Sequence, residues 1–143
     1  MRASPAPGFH SGLGLLAGRC LMGIVYLHSG VTKLTDPGAA HAEFAHFGLP
    51  SVFILPTIAL QIGGAVALMS GFLSRLAALA LAVFTLAATL VAHAFWTFPE
   101  AERGMQTILF LEHLAIIGGL LLLASVGPGR LAITLSLFRK ARS

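Results

Sequence analysis

The sequence predicts an all-α fold, an integral membrane four-helix bundle, and three observations support this prediction. Hydrophobic residues make up 57% of the 143-residue chain and charged residues only 10%, whereas a soluble domain carries about a quarter charged residues. The apolar residues gather in four runs, each about 20 residues long, which is the length that crosses a bilayer. Most of the prolines and most of the charges lie between these runs. The chain is therefore expected to form a single transmembrane domain, residues 1–143, surrounded by lipid.

The first span, about residues 13–33, carries a polar stripe that organises the predicted bundle. At 100° per residue, five of its residues fall within roughly 80° of one another. These residues are Arg19, Gly23, Tyr26, Gly30 and Lys33. A charge that faces lipid near the bilayer centre costs several kcal/mol, so the stripe must face other helices. Because the run is too long for a cleaved signal peptide, and too polar at its far end, we interpret it as a signal anchor.

Three further spans and two interfacial segments complete the predicted order. The loop after the first span contains a predicted interfacial helix at about residues 39–47. The second, third and fourth spans cover about residues 52–70, 76–96 and 105–126. Gly127-Pro128-Gly129 ends the fourth span. The tail at residues 130–140 alternates apolar residues before a basic end, which is typical of a short interfacial C-terminal helix.

The positive charges of the chain set the expected topology. Four spans place both termini on the same side of the membrane, and that side holds six of the nine lysines and arginines. These six are Arg2, Arg75, Arg130, Arg139, Lys140 and Arg142. Because cytoplasmic loops carry the excess of basic residues, we expect both termini in the cytoplasm. The basic residues lack the interleaved aromatic residues of a nucleic-acid-binding surface, so nucleic acid is not an expected partner.

This topology gathers most polar side chains of the spans in the outer half of the membrane. We expect them to form a ligand pocket that opens outward. The candidate pocket residues are Arg19, Tyr26, Ser29, Lys33, Gln61, His93, Trp96, Glu112 and His113. Arg19 lies near the inner boundary, where an interface anchor or a structural pair is the competing interpretation. For the other residues, the competing interpretation is that their polar groups pair with one another and fix the register of the helices.

Lys33 and Glu112 make the central contact expected in this pocket. A carboxylate alone in hydrocarbon is costly or takes up a proton, whereas a cation within about 4–6 Å favours its charged form. The first and fourth spans are neighbours in a closed four-helix bundle, so the two side chains are expected to face each other. His93 and His113 would then be placed to move protons.

Histidines and carboxylates also gather on the outer side, so a metal site is an alternative interpretation. The candidate ligands for copper or zinc are His41, Glu43 and His46. Their spacing matches no tight motif such as His-x-x-x-His, and exposed loop residues are the competing interpretation. Cys20 is the single cysteine, which excludes an intramolecular disulfide and a Cys-x-x-Cys redox pair. No covalent cofactor is predicted, and any redox chemistry requires a borrowed cofactor or a partner.

An ordered set of short motifs runs through nearly the whole chain, over about residues 13–130. The set is Arg19, Ser29-Gly30-Val31-Thr32-Lys33, Gly48-Leu49-Pro50, Gln61-Ile62-Gly63-Gly64, Gly71-Phe72-Leu73-Ser74-Arg75, His93, Gly118-Gly119 and Gly127-Pro128-Gly129. This order resembles the DoxX family of small four-helix membrane proteins, which is related to DoxD. The resemblance implies a multi-pass protein of the bacterial inner membrane. It also implies an association with redox functions, such as that of thiosulfate:quinone oxidoreductase.

The sequence departs from the family pattern at three positions. The family usually has glutamate at the position of Gln61, and Lys-Asn at the positions of Glu112 and His113. The acidic residue of the spans has thus moved from the second span to the fourth, and a basic residue of the fourth span is missing. These changes favour a subfamily with its own ligand or partner.

Two classes of function follow from these observations. The leading hypothesis is a small inner-membrane subunit of a redox system, with a quinone or a similar small molecule held in the pocket between Tyr26 and Trp96. The chain has no self-contained catalytic motif. The alternatives are a non-enzymatic partner or assembly protein and a handler of copper or zinc on the periplasmic side. The expected partners are another membrane or periplasmic redox subunit, or further copies of the same chain.

Overall fold

The computed structural model describes residues 9–133, and this part of the chain is helical with short connections. The helices are α1 (Phe9–Thr35), α2 (Pro37–His46), α3 (Ile54–Ser70), α4 (Ser74–Ala92) and α5 (Glu100–Val126), with 3₁₀ turns at Ser51–Phe53 and Phe95–Thr97. Within these residues, four segments are long and apolar enough to cross a membrane, namely Gly12–Thr35, Ser51–Ser70, Ser74–Thr97 and Glu100–Val126. The predicted all-α bundle with four spans is therefore confirmed.

The ends of the spans differ from the predicted ends by a few residues. α5 begins at Glu100 rather than near residue 105, because Glu100 and Glu102 lie in its first turn, where carboxylates stabilise the positive end of the helix dipole. α4 ends at Ala92 rather than near residue 96, since His93 leaves the helical region with φ −129°. α1 begins at Phe9 rather than near residue 13. These shifts lengthen the first and last spans and do not change their number.

The interfacial helix predicted near residues 39–47 is α2. Asp36 caps its first turn, because the carboxylate accepts a hydrogen bond from the Ala39 backbone N–H at 2.9 Å. One side of α2 packs on α3 in a small buried cluster made of Ala40, Phe44, Ile54 and Ile58. α2 therefore marks one end of the bundle, which we call the α2 end.

α5 stops at Gly127, whose φ of 86° lies in the left-handed region that glycine adopts without strain. Residues 127–133 continue without a helix. The interfacial helix predicted at residues 130–140 falls mostly outside the described residues.

The polar stripe of α1 faces the interior of the bundle, as predicted. Arg19, Gly23, Tyr26 and Gly30 are buried and Lys33 is half-buried, whereas His28 is exposed on the opposite face. The glycines allow α1 to lie directly against α3. A Cβ atom added to Gly30 would meet the Gln61 Cβ at 3.1 Å and the Ile62 backbone nitrogen at 3.3 Å.

The main hydrophobic core lies between α1, α3, α4 and α5. Its buried members are Tyr26, Ala65, Leu68, Ala78, Leu81, Ala82, Leu120 and Leu123. α3 packs on α4 where Gly64 meets Leu81, and α5 approaches α1 where Gly119 meets Met22. Of the four spans, α5 buries the smallest share of its residues inside the structure.

Arg19 ties three segments together at the end of the bundle opposite α2. Its side chain is fully buried, and its guanidinium donates to the backbone oxygens of Leu68 and Met69 at 3.4 Å and of Leu131 at 2.8 Å. The first two oxygens belong to the last turn of α3, where helix carbonyls have no partner within the helix. Arg19 thus stabilises the negative end of the α3 dipole and holds the chain that follows α5.

Candidate functional site

A cavity of about 410 Å³ lies between α1, α3, α4 and α5 at the α2 end of the bundle. This volume is within the roughly 300–1,000 Å³ of sites that bind small molecules. Most of its lining is apolar, and the larger apolar side chains are Val25, Phe44, Phe47, Leu49, Phe53, Phe84, Val91 and Ile116. Most of the polar side chains that line it belong to two groups.

The first polar group joins α1, α2 and α3. The ammonium of Lys33 lies 3.0 Å from the Glu43 carboxylate and donates a second hydrogen bond to Ser29 Oγ at 3.4 Å. Gln61 Nε2 donates to the same Ser29 Oγ at 3.0 Å. Gln61 is only 5% exposed, and its Oε1 has no hydrogen-bond partner among the described residues. An unpaired buried acceptor of this kind is costly, which marks Gln61 as a place where a ligand or water would be stabilised.

The second polar group runs along α4 and reaches across to α1 and α5. Tyr26 is buried and its hydroxyl hydrogen-bonds to Thr85 Oγ1, while the Thr85 hydroxyl also lies 2.7 Å from the Leu81 carbonyl. One turn later, Thr89 Oγ1 lies 2.6 Å from the Thr85 carbonyl and 2.8 Å from His113 Nδ1. Threonines four residues apart on one helix face therefore link α1 to α5 through their hydroxyls.

His93 continues this group just past the end of α4. Its Nδ1 lies 2.8 Å from Gln106 Oε1 of α5. Its ring packs edge-on against the His113 ring, with 4.9 Å between the centroids. Because α4 ends at Ala92, the chain turns at His93 and brings its imidazole to the lip of the cavity.

The predicted contact between Lys33 and Glu112 is wrong. Lys33 pairs with Glu43 instead, because α2 folds back over the bundle and presents a carboxylate beside the end of α1. Glu112 is exposed on the outer surface of α5. Adjacent residues of a helix point about 100° apart, and here the inward position belongs to His113.

Six of the nine predicted pocket residues come together around the cavity, namely Tyr26, Ser29, Lys33, Gln61, His93 and His113. The remaining three lie elsewhere. Arg19 is at the opposite end of the bundle, and Glu112 is on the outer surface of α5. Trp96 is 53% exposed and packs edge-on against Phe95 and Phe110. The structure does not place Tyr26 and Trp96 on two sides of a flat ring.

The three candidate metal ligands of α2 do not come together. His41 and His46 are exposed, and Glu43 is paired with Lys33. Within residues 9–133 no group of three histidine, cysteine, aspartate or glutamate side chains has an arrangement that holds a metal ion.

Several residues that complete the site were not among the predicted pocket residues. Thr85 and Thr89 supply the link between Tyr26 and His113, and Gln106 fixes one nitrogen of His93. The spacing of Thr85, Thr89 and His93 on one face of an apolar helix is the signal that points to them. No comparable signal marks Phe44 and the other aromatic side chains of the lining, since any apolar helix carries such residues.

The residues that line the cavity lie mostly within a region shared with known proteins. The DoxX family's sequence model matches residues 14–94. The chain is 35% identical to the inner membrane protein YqjF of Escherichia coli (strain K12) over 128 residues, which cover 90% of this chain and 95% of that protein. It is 26% identical to the inner membrane protein YphA of the same organism over 121 residues, which cover 83% of this chain and 86% of that protein. No solved structure matches the chain significantly. The chain therefore belongs to the DoxX family.

Proposed function

We propose that this protein is a small inner-membrane subunit of a redox system and that its cavity binds a quinone or a similar amphiphile. The observation that carries the proposal is the cavity itself, which has mainly apolar walls and a few polar groups on facing helices. An amphiphile with a flat polar head matches such a lining, because its head finds hydrogen-bond partners while its tail remains in an apolar environment.

The proposed location is the bacterial inner membrane, with both termini in the cytoplasm. The two relatives support a location in the inner membrane, since both are inner membrane proteins. The distribution of basic residues supports the orientation, because six of the nine lysines and arginines lie on the side of the termini. In this orientation the α2 end, and with it the cavity, lies on the periplasmic side.

The residues around the cavity would bind and orient the head group. Lys33 carries a positive charge that Glu43 balances, so this pair provides a polar entrance without a net charge. Gln61 and His113 lie deeper along their helices and offer hydrogen-bonding atoms to the head. The oxidation or reduction of a bound molecule would require a redox partner, and the exposed surface of α5 is available for one.

A cavity-filling substitution tests this proposal. Ala88 lines the cavity, whereas Ala59 is exposed on α3 and does not. In nanodiscs free of quinone, a short-chain benzoquinone should raise the unfolding temperature of the wild-type protein, because a ligand that binds the folded state stabilises it. Ala88→Phe should weaken that binding at least about tenfold, since the new ring occupies the space of the head group. Ala59→Phe is the matched control and should bind as the wild type does.

The same measurement separates ligand binding from a purely structural role. If the protein serves only to dock another membrane protein, the quinone should leave the unfolding temperatures of the wild type and of both variants unchanged. A shift of equal size in both alanine variants would mean that the molecule binds outside the cavity, and it would contradict the proposal.

Docking of another membrane protein is a second candidate function, favoured by the position of Glu112. This carboxylate is exposed near the middle of α5, twelve residues after the helix begins at Glu100. An ionisable group at that depth costs about 3 kcal/mol against lipid, and a partner helix with a cationic or hydrogen-bond-donating side chain would remove this cost. The two functions are compatible, since Glu112 and the cavity lie on different sides of α5.

A further inference from the structure

The positions of the protons around Thr89 fix the tautomer of His113. The Thr89 hydroxyl oxygen lies 2.6 Å from the Thr85 carbonyl oxygen. A carbonyl oxygen can only accept, so the one proton of this hydroxyl must lie between the two oxygens. Thr89 Oγ1 then has only lone pairs to offer to His113, whose Nδ1 is 2.8 Å away. His113 Nδ1 therefore carries a proton and donates it to Thr89.

A neutral imidazole with a proton on Nδ1 has a lone pair on Nε2. The Nε2 of His113 has no hydrogen-bond partner among the described residues, and His113 lines the cavity. The same reasoning applies to His93, because its Nδ1 meets Gln106 Oε1, which is an acceptor. Both histidines thus leave an Nε2 acceptor free beside the cavity.

On the α4 side of the cavity, by contrast, the hydroxyl donors are engaged. The Thr85 hydroxyl proton goes to the Leu81 carbonyl at 2.7 Å, so the Tyr26 hydroxyl must donate to Thr85. On the α1 side, the Lys33 ammonium uses two of its three N–H donors, on Glu43 and on Ser29. Gln61 adds a further acceptor, because its Oε1 has no partner among the described residues, while its Nε2 uses one of its two protons on Ser29.

From the free acceptors on the α4–α5 side we infer that the cavity accepts a hydrogen bond from the head group, and that it binds hydroxyl-bearing amphiphiles such as hydroquinones and alkylphenols in preference to their ether counterparts. The inference rests on the proposed function, in that it names the chemical class which the same cavity prefers. His113 Nε2 accepts the hydrogen bond that the ligand hydroxyl donates. Thr89 is the positioning residue that keeps this nitrogen unprotonated.

Nitrogen NMR of the protein labelled with ¹⁵N-histidine tests the tautomer without any ligand. In nanodiscs, the His113 signals should show a protonated Nδ1 and an unprotonated Nε2. Thr89→Val removes the acceptor of the Nδ1 proton, and the preference for this tautomer should then be lost. A protonated Nε2 in the neutral wild-type ring would overturn the inference.

Binding of 4-octylphenol and 4-octylanisole tests the selectivity, because in the second molecule a methyl group replaces the hydroxyl proton. The wild-type protein should bind the phenol about tenfold more tightly. His113→Phe should remove this preference, and Thr89→Val should reduce it if the phenylalanine variant does not fold. Glu112→Gln, at the neighbouring exposed position, is the control and should keep the preference.

The outcomes of the binding test distinguish this inference from the proposed function. Equal affinities of the wild-type protein for the two molecules would overturn the selectivity and leave an amphiphile-binding cavity intact. Failure of both molecules and of benzoquinone to bind would contradict the proposed function as well.

Discussion

Replacement of Arg19 by methionine is expected to lower the free energy of unfolding by about 3 kcal/mol, because three backbone oxygens in buried or partly buried contacts lose the guanidinium as a donor. Two of these oxygens belong to the last turn of α3 and the third, from Leu131, follows α5. Methionine restores much of the lost volume, so the expected loss reflects the hydrogen bonds more than a cavity. Reversible unfolding in mixed micelles provides the measurement.

Arg103→Met is the matched control for Arg19→Met. The Arg103 guanidinium also donates to a backbone oxygen, that of Phe98 at 3.2 Å, but the side chain is exposed. Arg103→Met should therefore lower the free energy of unfolding by less than about 0.5 kcal/mol. Equal losses in the two variants would show that Arg19 does not hold α1, α3 and the chain after α5 together.

Gly30→Leu should destabilise the bundle by about 3 kcal/mol, because overpacking of a tight helix contact forces the helices apart. A Cβ at this position lies only 3.3 Å from the Ile62 backbone nitrogen, which cannot move without moving α3. Separation of α1 from α3 would also pull Ser29 away from Gln61 and enlarge the cavity. The unfolding midpoint and benzoquinone affinity of the variant should therefore fall together.

Gly63→Leu offers the control for this substitution, on the partner helix and one residue from the contact. Gly63 is exposed, and a Cβ there meets no atom within 4 Å. Because leucine is a better helix former than glycine, this variant should be as stable as the wild type or about 0.5–1 kcal/mol more stable. A Gly63→Leu variant as unstable as Gly30→Leu would mean that α1 and α3 do not pack through Gly30.

The membrane cost of charge explains why the fold and the orientation of α1 could be predicted from the sequence. Arg19 and Lys33 cannot face lipid at low cost, and the glycines between them share their face, so this face had to lie inside the bundle. The prediction of α2 rested on weaker signals, but Asp36 before the helix and Pro37 at its first position favour a helix start. Both predictions depend on local rules that hold whatever the helices pack against.

The pairing of side chains between helices could not be predicted in the same way. Glu112 and His113 are adjacent, and the rotation of α5 that decides between them depends on packing at Gly119 and Met22. Lys33 pairs with Glu43 because α2 folds back onto α3 through apolar contacts. The charge pattern of the sequence does not reveal these contacts. Most of the predicted pocket residues therefore line the cavity, but the predicted ion pair between Lys33 and Glu112 does not form.

Photolabelling tests the proposed cavity most directly. A photoreactive benzoquinone would be activated with the protein in nanodiscs, and the modified peptides would be mapped by mass spectrometry. We expect labels on residues of three helices that line the cavity, such as Phe44, Phe84 and Ile116, and we expect these labels to disappear when unlabelled benzoquinone is added in excess. Labels spread over exposed residues such as Val83 and Leu121, unaffected by the competitor, would contradict the proposed cavity.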